Sequence, residues 1–243
     1  VFSCIVDADV LKKLVKASSI LVDEAKIRTS SEGISMRAVD SANVAMVSFE
    51  LKRDAFELFE ADESEIGVDL HRLEDVLELG KKGDKVSLSV MDDEKLRIKI
   101  RNLSYTLSLI DPSSMRRDPR VPNLEFSAEV WVNGMEVDRA IKAASKISDH
   151  IVLGVENEVF YMEAEGDTDS MRLELTKDEL LELKGGNARS MFSLDYLSDM
   201  SKSFRTTDEV RIYLGTDYPV KITFPVTADG EVSYLLAPRI ESE

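Results

Sequence analysis

The chain has 243 residues, 31 Lys and Arg against 47 Asp and Glu, a formal charge of −16 and 43% hydrophobic residues. That balance is an ordinary globular one with a surplus of surface charge, and it excludes a disordered tail, a collagen and a small domain that depends on staples. Read by its sum alone, the charge argues against nucleic acid as a partner, so its distribution along the chain matters.

One cysteine permits no internal disulfide, and with only two histidines it argues against structural zinc. Apolar runs such as Val44-Ala45-Met46-Val47 stop far short of a membrane span. Val1-Phe2-Ser3-Cys4 lacks the basic start and long apolar core of a signal peptide, so a cytoplasmic protein without a membrane partner is expected.

In chain order, Phe2-Ser3 opens an alternating stretch, and Leu11, Leu14 and Val15 share one face of a first helix. Residues 44–51 alternate as a strand. Leu70, Leu73, Val76 and Leu77 make the stripe of a second helix. Strands follow at 85–90, 96–100 and 104–110, the first two joined by the turn Met91-Asp92-Asp93-Glu94. Residues 111–123 carry three of the chain's six prolines and read as a connector. Phe126-Ser127 opens a second alternating stretch. Val137, Ala140, Ile141 and Ala144 give a third helix, residues 152–155 a strand, and Leu194, Leu197 and Ser201 a fourth helix. Strands at 210–214 and 220–224 and a hairpin at Ala228-Asp229-Gly230 complete the chain.

The elements form two copies of one pattern. Phe2-Ser3 matches Phe126-Ser127, residues 11–17 match 137–143, residues 49–54 match 173–178, Val68-Asp69-Leu70 matches Leu194-Asp195-Tyr196, and Ser104-Tyr105 matches Ser233-Tyr234. Five matches in the same order at an offset of about 125 residues predict two domains of similar topology. Their boundaries are 1–110 and 126–243, with a connector at 111–125, and the class is α+β. Lys12, Lys13 and Lys16 lie on the wet side of the first helix, and Arg139, Lys142 and Lys146 recur on the third. A charge run on one helix is ordinarily a solvated face; a run built twice by a repeat points to a basic surface.

Catalytic patterns are weak. Glu163-Ala164-Glu165-Gly166-Asp167-Thr168-Asp169 alternates carboxylates but fails the spacing of a calcium loop and reads as a polar hairpin. Gly80-Lys81-Lys82-Gly83 lacks the ending of a phosphate-binding loop, and no serine sits in a nucleophile elbow. Cys4 and Trp131 read as strand packing residues. No enzyme activity, cofactor or metal is expected.

The chain resembles the DNA sliding clamps of the proliferating cell nuclear antigen family, most closely the archaeal members. The match rests on Leu21-Val22-Asp23-Glu24-Ala25, on residues 35–47 from Ser35-Met36-Arg37 to Ala45-Met46-Val47, on Tyr234-Leu235-Leu236-Ala237-Pro238-Arg239-Ile240-Glu241, and on Asp195-Tyr196-Leu197. The resemblance implies a homotrimeric ring around double-stranded DNA, bound without regard to sequence, with antiparallel sheets outside and two helices per domain lining the hole. Lys12, Lys13, Lys16, Arg139, Lys142 and Lys146 would face the duplex, with Lys81, Lys82, Arg101, Lys202 and Arg205 as further candidates. It implies a partner-peptide pocket at Val39, Val44, Val121, Pro122, Pro219, Leu235, Leu236, Ala237, Pro238 and Ile240, with the tail Glu241-Ser242-Glu243 free beside it. The partners implied are DNA polymerase, the clamp loader, flap endonuclease and DNA ligase, at the nucleoid. Subunits would join edge to edge through residues 103–109 and 170–175, with Tyr105, Leu107, Met171, Leu173 and Leu175 at the contact. Rival readings are one subunit of a heterotrimer, an acidic DNA mimic, and a nuclease holding a metal near 163–169.

Overall fold

The computed structural model describes residues 1–92 and 94–240, so Asp93 of the expected hairpin turn and the tail Glu241-Ser242-Glu243 lie outside the described residues. The chain divides into two units, Val1–Arg120 with Pro225–Val232, and Val121–Phe224 with the residues from Ser233 onward.

In the first unit the order is β1 (Phe2–Asp7), α1 (Ala8–Ser19), β2 (Glu24–Ser30), β3 (Gly33–Val39), β4 (Ala45–Lys52), β5 (Leu58–Ala61), β6 (Ser64–Asp69), α2 (Leu70–Leu77), β7 (Lys85–Met91), β8 (Lys95–Ile100) and β9 (Leu103–Ser108). The strands form one layer ordered β5-β1-β7-β8-β9 and another ordered β4-β3-β2-β6, with antiparallel pairing throughout. Alternation explains the first layer: β1 buries Phe2, Cys4 and Val6, and β8 buries Leu96, Ile98 and Ile100. The helices bury the predicted stripes, Leu11, Leu14 and Val15 on α1 and Leu70, Leu73, Val76 and Leu77 on α2. The backbone N–H of Lys52 donates to the Asp229 carbonyl at 2.8 Å, so residues 225–232 meet the outer edge of β4.

The second unit repeats this order: β10 (Ala128–Val132), α3 (Gly134–Ser145), β11 (His150–Glu156), β12 (Val159–Glu165), β13 (Ser170–Thr176), β14 (Glu182–Gly185), β15 (Ala188–Ser193), α4 (Leu194–Phe204), β16 (Val210–Leu214), β17 (Val220–Thr227) and β18 (Gly230–Leu236). Its layers run β14-β10-β16-β17-β18 and β13-β12-β11-β15.

The structure corrects the register of the repeat at two places. Helices α2 and α4 begin at Leu70 and Leu194, so Leu70 corresponds to Leu194 and not to Tyr196. Strand ends and caps set this: Asp69 and Ser193 both close a strand and occupy the N-cap, where the Asp69 carboxylate accepts from the Arg72 backbone N–H at 3.1 Å. Strand β10 begins at Ala128, so Phe126-Ser127 precedes it. The Phe126 ring instead meets Tyr213 and Tyr218, with centroids 5.6 and 5.7 Å away.

The connector starts as an extension of the first unit. Ile110 bridges to Gly67 on β6, its N–H donating to the Gly67 carbonyl at 2.8 Å. A side chain at Gly67 would place its Cβ 2.2 Å from the Ile110 carbonyl oxygen, so the close approach requires glycine. Among the described residues no helix is long and apolar enough to cross a membrane.

Burial pushes the Cys4 thiol up to about 12. At that value roughly one thiol in ten thousand is ionised at pH about 8, and thiolate is the reactive form. An aromatic disulfide reagent should therefore leave the native protein unlabelled and titrate one thiol per chain after unfolding in guanidinium. Prompt labelling of the folded chain would contradict the core position of Cys4.

Candidate nucleic-acid and partner interface

Helices α1 and α2 lie side by side in the first unit. Lys12 Nζ donates to the Gly80 carbonyl at 2.7 Å, Lys16 Nζ pairs with Glu78 Oε1 at 3.1 Å, and Ser19 Oγ donates to Glu74 Oε2 at 2.7 Å. Rising numbers on α1 meet falling numbers on and just after α2, so the helices are antiparallel, and one lysine of α1, Lys16, is answered by an acid there, Glu78. Lys13, Lys81 and Lys82 are exposed and form no ion pair among the described residues. Arg101 is committed elsewhere: its Nε donates to Asp84 Oδ1 at 2.9 Å. The Asp84 carboxyl is held below the usual range first by the Lys81 backbone N–H and then by the Arg101 charge.

Helices α3 and α4 repeat the arrangement in the second unit. The Asn133 side chain caps α3 by accepting from Met135 N at 2.9 Å. Lys142 Nζ reaches Asp138 Oδ2 at 2.7 Å, and Ser201 Oγ on α4 donates to Asp138 Oδ1 at 3.1 Å. Arg139 lies 3.8 Å from Glu136, and Lys202 lies 3.2 Å from Asp199. Lys146 and Arg205, at the C-terminal caps of α3 and α4, are exposed without an ion pair among the described residues. The exposed pairs Arg139–Glu136 and Lys202–Asp199 contribute about 0–1 kcal/mol each, whereas Asp138, which holds Lys142, is buried.

Carboxylate chemistry is not assembled near residues 163–169. Glu163 is answered by Arg172 at 2.6 Å and Arg189 at 3.8 Å, which leaves it a poor ligand for a cation.

Two sheet edges stand out. Strands β9 and β13 each end a sheet order and carry mostly exposed or half-buried side chains. Other terminal strands are short, as β5 and β14 are, or are bridged, β6 by Ile110 and β15 by Arg239.

The model of the proliferating cell nuclear antigen N-terminal domain matches residues 3–111, and that of the C-terminal domain matches residues 120–239. The chain belongs to the proliferating cell nuclear antigen family. It is 52% identical to the DNA polymerase sliding clamp of Methanothrix thermoacetophila over 98% of both chains, and 50% identical to that of Methanococcoides burtonii over 100% of both. The solved A. fulgidus PCNA bound to the C-terminal region of FEN-1 superposes with a TM-score of 0.96 at 42% identity, each chain covered in full. The two-domain mixed α and β fold with antiparallel sheets is that of this family, and the chain, like the family, is not an enzyme.

Against the family expectation, three apolar positions need correction. Leu107 on β9 is 4% exposed and Leu175 on β13 is 8% exposed, so both support their own unit. Leu103 and Tyr105 on β9, with the half-buried Met171 and Leu173 on β13, are the side chains those edges offer. Leu236 is 1% exposed and belongs to the core, while its neighbour Leu235 is half-buried. Period-2 alternation on β18 separates them. Of the other positions assigned to the partner pocket, Val39 and Val44 are half-buried in the first unit. In the second unit Pro219, Ala237 and Pro238 are half-buried, and Val121, Pro122 and Ile240 are exposed. The turn before β4 is built by Asp40, whose Oδ1 accepts from the N–H groups of Val44 at 2.8 Å and Ala45 at 3.0 Å.

A basic cluster escaped the sequence reading. Lys26 and Arg28 alternate on β2, and both reach Asp118 of the connector, at 3.4 and 2.8 Å. The i, i+2 spacing on β2 and the Arg116-Arg117 doublet were the available signals; nothing local linked them.

Burial separates Leu235 from Leu236 in a way urea unfolding can read. Leu236→Ala should cost about 2–5 kcal/mol, and Leu235→Ala less than half as much. Equal losses would contradict the facing of β18.

Proposed function

We propose that the chain is a DNA polymerase sliding clamp that closes as a homotrimeric ring around duplex DNA and tethers replication and repair enzymes to it. The observation that carries this reading is the recurrence of one cationic helix face on α1 and α3. Lysines reach phosphates as mobile point charges and read no base edges, so the energy changes little along the duplex. Retention then comes from closure and not from affinity, which suits a chain whose net charge is −16.

Uncovered β9 and β13 support the trimer. Pairing β9 of one copy with β13 of the next satisfies both edges through one heterologous joint, and three such joints close. The same cationic recurrence disfavours the DNA-mimic reading, since a mimic has no use for it. Partner enzymes are read as binding through a short motif with a glutamine, an aliphatic residue and paired aromatics. Small and apolar side chains such as Val44, Pro219, Leu235, Pro238 and Ile240 suit such a plug. The A. fulgidus complex with a FEN-1 segment supports that mode by similarity.

Light scattering should give on the order of 80 kDa for the closed ring. A monomer at micromolar concentration would remove the homotrimer and favour a heterotrimeric subunit. Replacing Lys13, Lys16, Lys142 and Lys146 together by Ala should shorten clamp-dependent synthesis on primed circular DNA. It should also reduce the salt slope of equilibrium binding to short linear duplex by roughly 0.9 for each phosphate the variant no longer neutralises. Unchanged processivity would exclude these side chains from the DNA path.

A further inference from the structure

Five cations gather on the face of the β6-β2-β3-β4 layer opposite its buried side. Lys26 and Arg28 point there from β2, and Arg37 lies one step beyond the Ile27–Met36 pair, across from Lys26. Arg116 and Arg117 arrive on the connector. Two acids answer them: Asp118, 12% exposed, takes Lys26 and Arg28, and Glu65 lies 3.4 Å from Arg28. Arg116 spends its guanidinium on the Asn43 side chain at 3.0 Å and the Asp40 carbonyl at 3.4 Å. Arg37 and Arg117 have no ion pair among the described residues.

Beside them is a cleft of about 510 Å³, within the first unit, between the connector at 115–119 and residues 21–26 and 37–39. Its wall is mixed: Leu21, Val22, Val39, Met115 and Pro119 contribute apolar surface, Arg37 and Arg117 contribute charge without an ion pair among the described residues, and the acids Asp23, Glu24 and Asp118 also line it, Asp23 paired with His71 and Asp118 with Lys26 and Arg28. A cleft lined by the cations Lys26, Arg37, Arg116 and Arg117 against the acids Asp23, Glu24 and Asp118, with aliphatic surface among them, suits a short acidic peptide with aliphatic side chains better than a duplex backbone, which needs a long open track. Lys26 already has Asp118, whereas Arg37 across from it has no ion pair among the described residues, so a ligand carboxylate on Arg37 would supply the missing partner. The location also fits, because Pro119 is two residues from Val121, where the family resemblance places the partner pocket.

We propose that this cleft is a second contact for partner proteins, taking an acidic segment that flanks their docking motif, with its carboxylates on Arg37 and Arg117. It rests on the partner-motif reading above and extends it from one pocket to a two-part surface. Fluorescence anisotropy with three labelled peptides tests it: the motif alone, the motif with an Asp/Glu/Leu flank, and the motif with a Lys flank. The acidic flank should tighten binding about fivefold to tenfold at low salt, and lose that gain at high salt. In the Arg37→Glu/Arg117→Glu variant the gain should vanish and the Lys flank should become the better one. Arg37→Gln/Arg117→Gln, which keeps side-chain size, should abolish the gain without reversing it. A flank without effect on the natural protein, or a gain that survives both variants, overturns the proposal.

Should the motif alone fail to bind, the partner-motif reading fails, and the acidic flank peptide by itself decides the cleft. Amide shifts confined to residues 21–26, 37–39 and 115–119, absent in the variants, uphold it, and no shifts overturn it. A single-stranded oligonucleotide that competes as well as the acidic peptide, and loses that ability in the same variants, assigns the cleft to phosphate and overturns the peptide.

Discussion

Backbone hydrogen bonding at sheet edges is the constraint on which the rest of this structure depends. Every strand presents N–H and C=O groups on two sides, and an outward row left unpaired is a template for uncontrolled association. The chain disposes of most of its edges locally. Ile110 closes on Gly67 at the edge of β6, Arg239 closes on Met191 at the edge of β15, and Asp229 accepts from Lys52 at the edge of β4. Strands β5 and β14 are only four residues each, too short to template much. What is left is β9 and β13, six and seven residues long, one on each unit. They are the long edges left open among the described residues, and under the proposed trimer a neighbouring copy would complete the same accounting that folding began.

Charge follows a different rule from hydrogen bonding, because water can stand in for a lost ion pair at small cost. On α1 Lys16 is answered by Glu78 at the end of α2, and on α3 Lys142 is answered from its own helix by Asp138. Those partners hold the side chains in place. Glu78 is a surface carboxylate that adds about 0–1 kcal/mol to holding Lys16, while Asp138 is buried and fixes Lys142 from the core side of α3. The sum of −16 is silent on this, since it averages helix faces with the tails and turns that outnumber them.

How much could be read from sequence depended on whether the decisive contact was local. All four helices were legible because their stripes, such as Leu70, Leu73, Val76 and Leu77, repeat at the helical period and are interrupted by charge. Strands β7 and β8 were legible from alternation. Strands β2, β5 and β14 were not: Glu24–Ser30 carries Lys26 and Arg28, and it is a strand because β3 and β6 pair with it. Register failed where similarity and capping disagreed, at Leu194. Facing failed at Leu107, Leu175 and Leu236, because apolarity marks a strand residue as buried somewhere and does not say whether its own unit or a partner buries it. The cluster around Asp118 was invisible for a third reason. Its members are spread from residue 26 to residue 118, and only the path of the connector brings them together.

That path divides the connector into two parts with different mechanical roles. Up to Pro119 it is fastened at three points: Ile110 on β6, Arg116 on the turn at Asn43, and Asp118 on Lys26 and Arg28. Asp118, 12% exposed, forms ion pairs with two cations at once, so removing it would leave both Lys26 and Arg28 without that partner. Immediately beyond, Val121, Pro122 and Asn123 are exposed. An exposed segment that begins at a pinned residue has fewer conformations to lose in any contact it makes, so more of the contact energy appears as affinity. The ion pairs of Asp118 thereby fix where the exposed part of the connector starts.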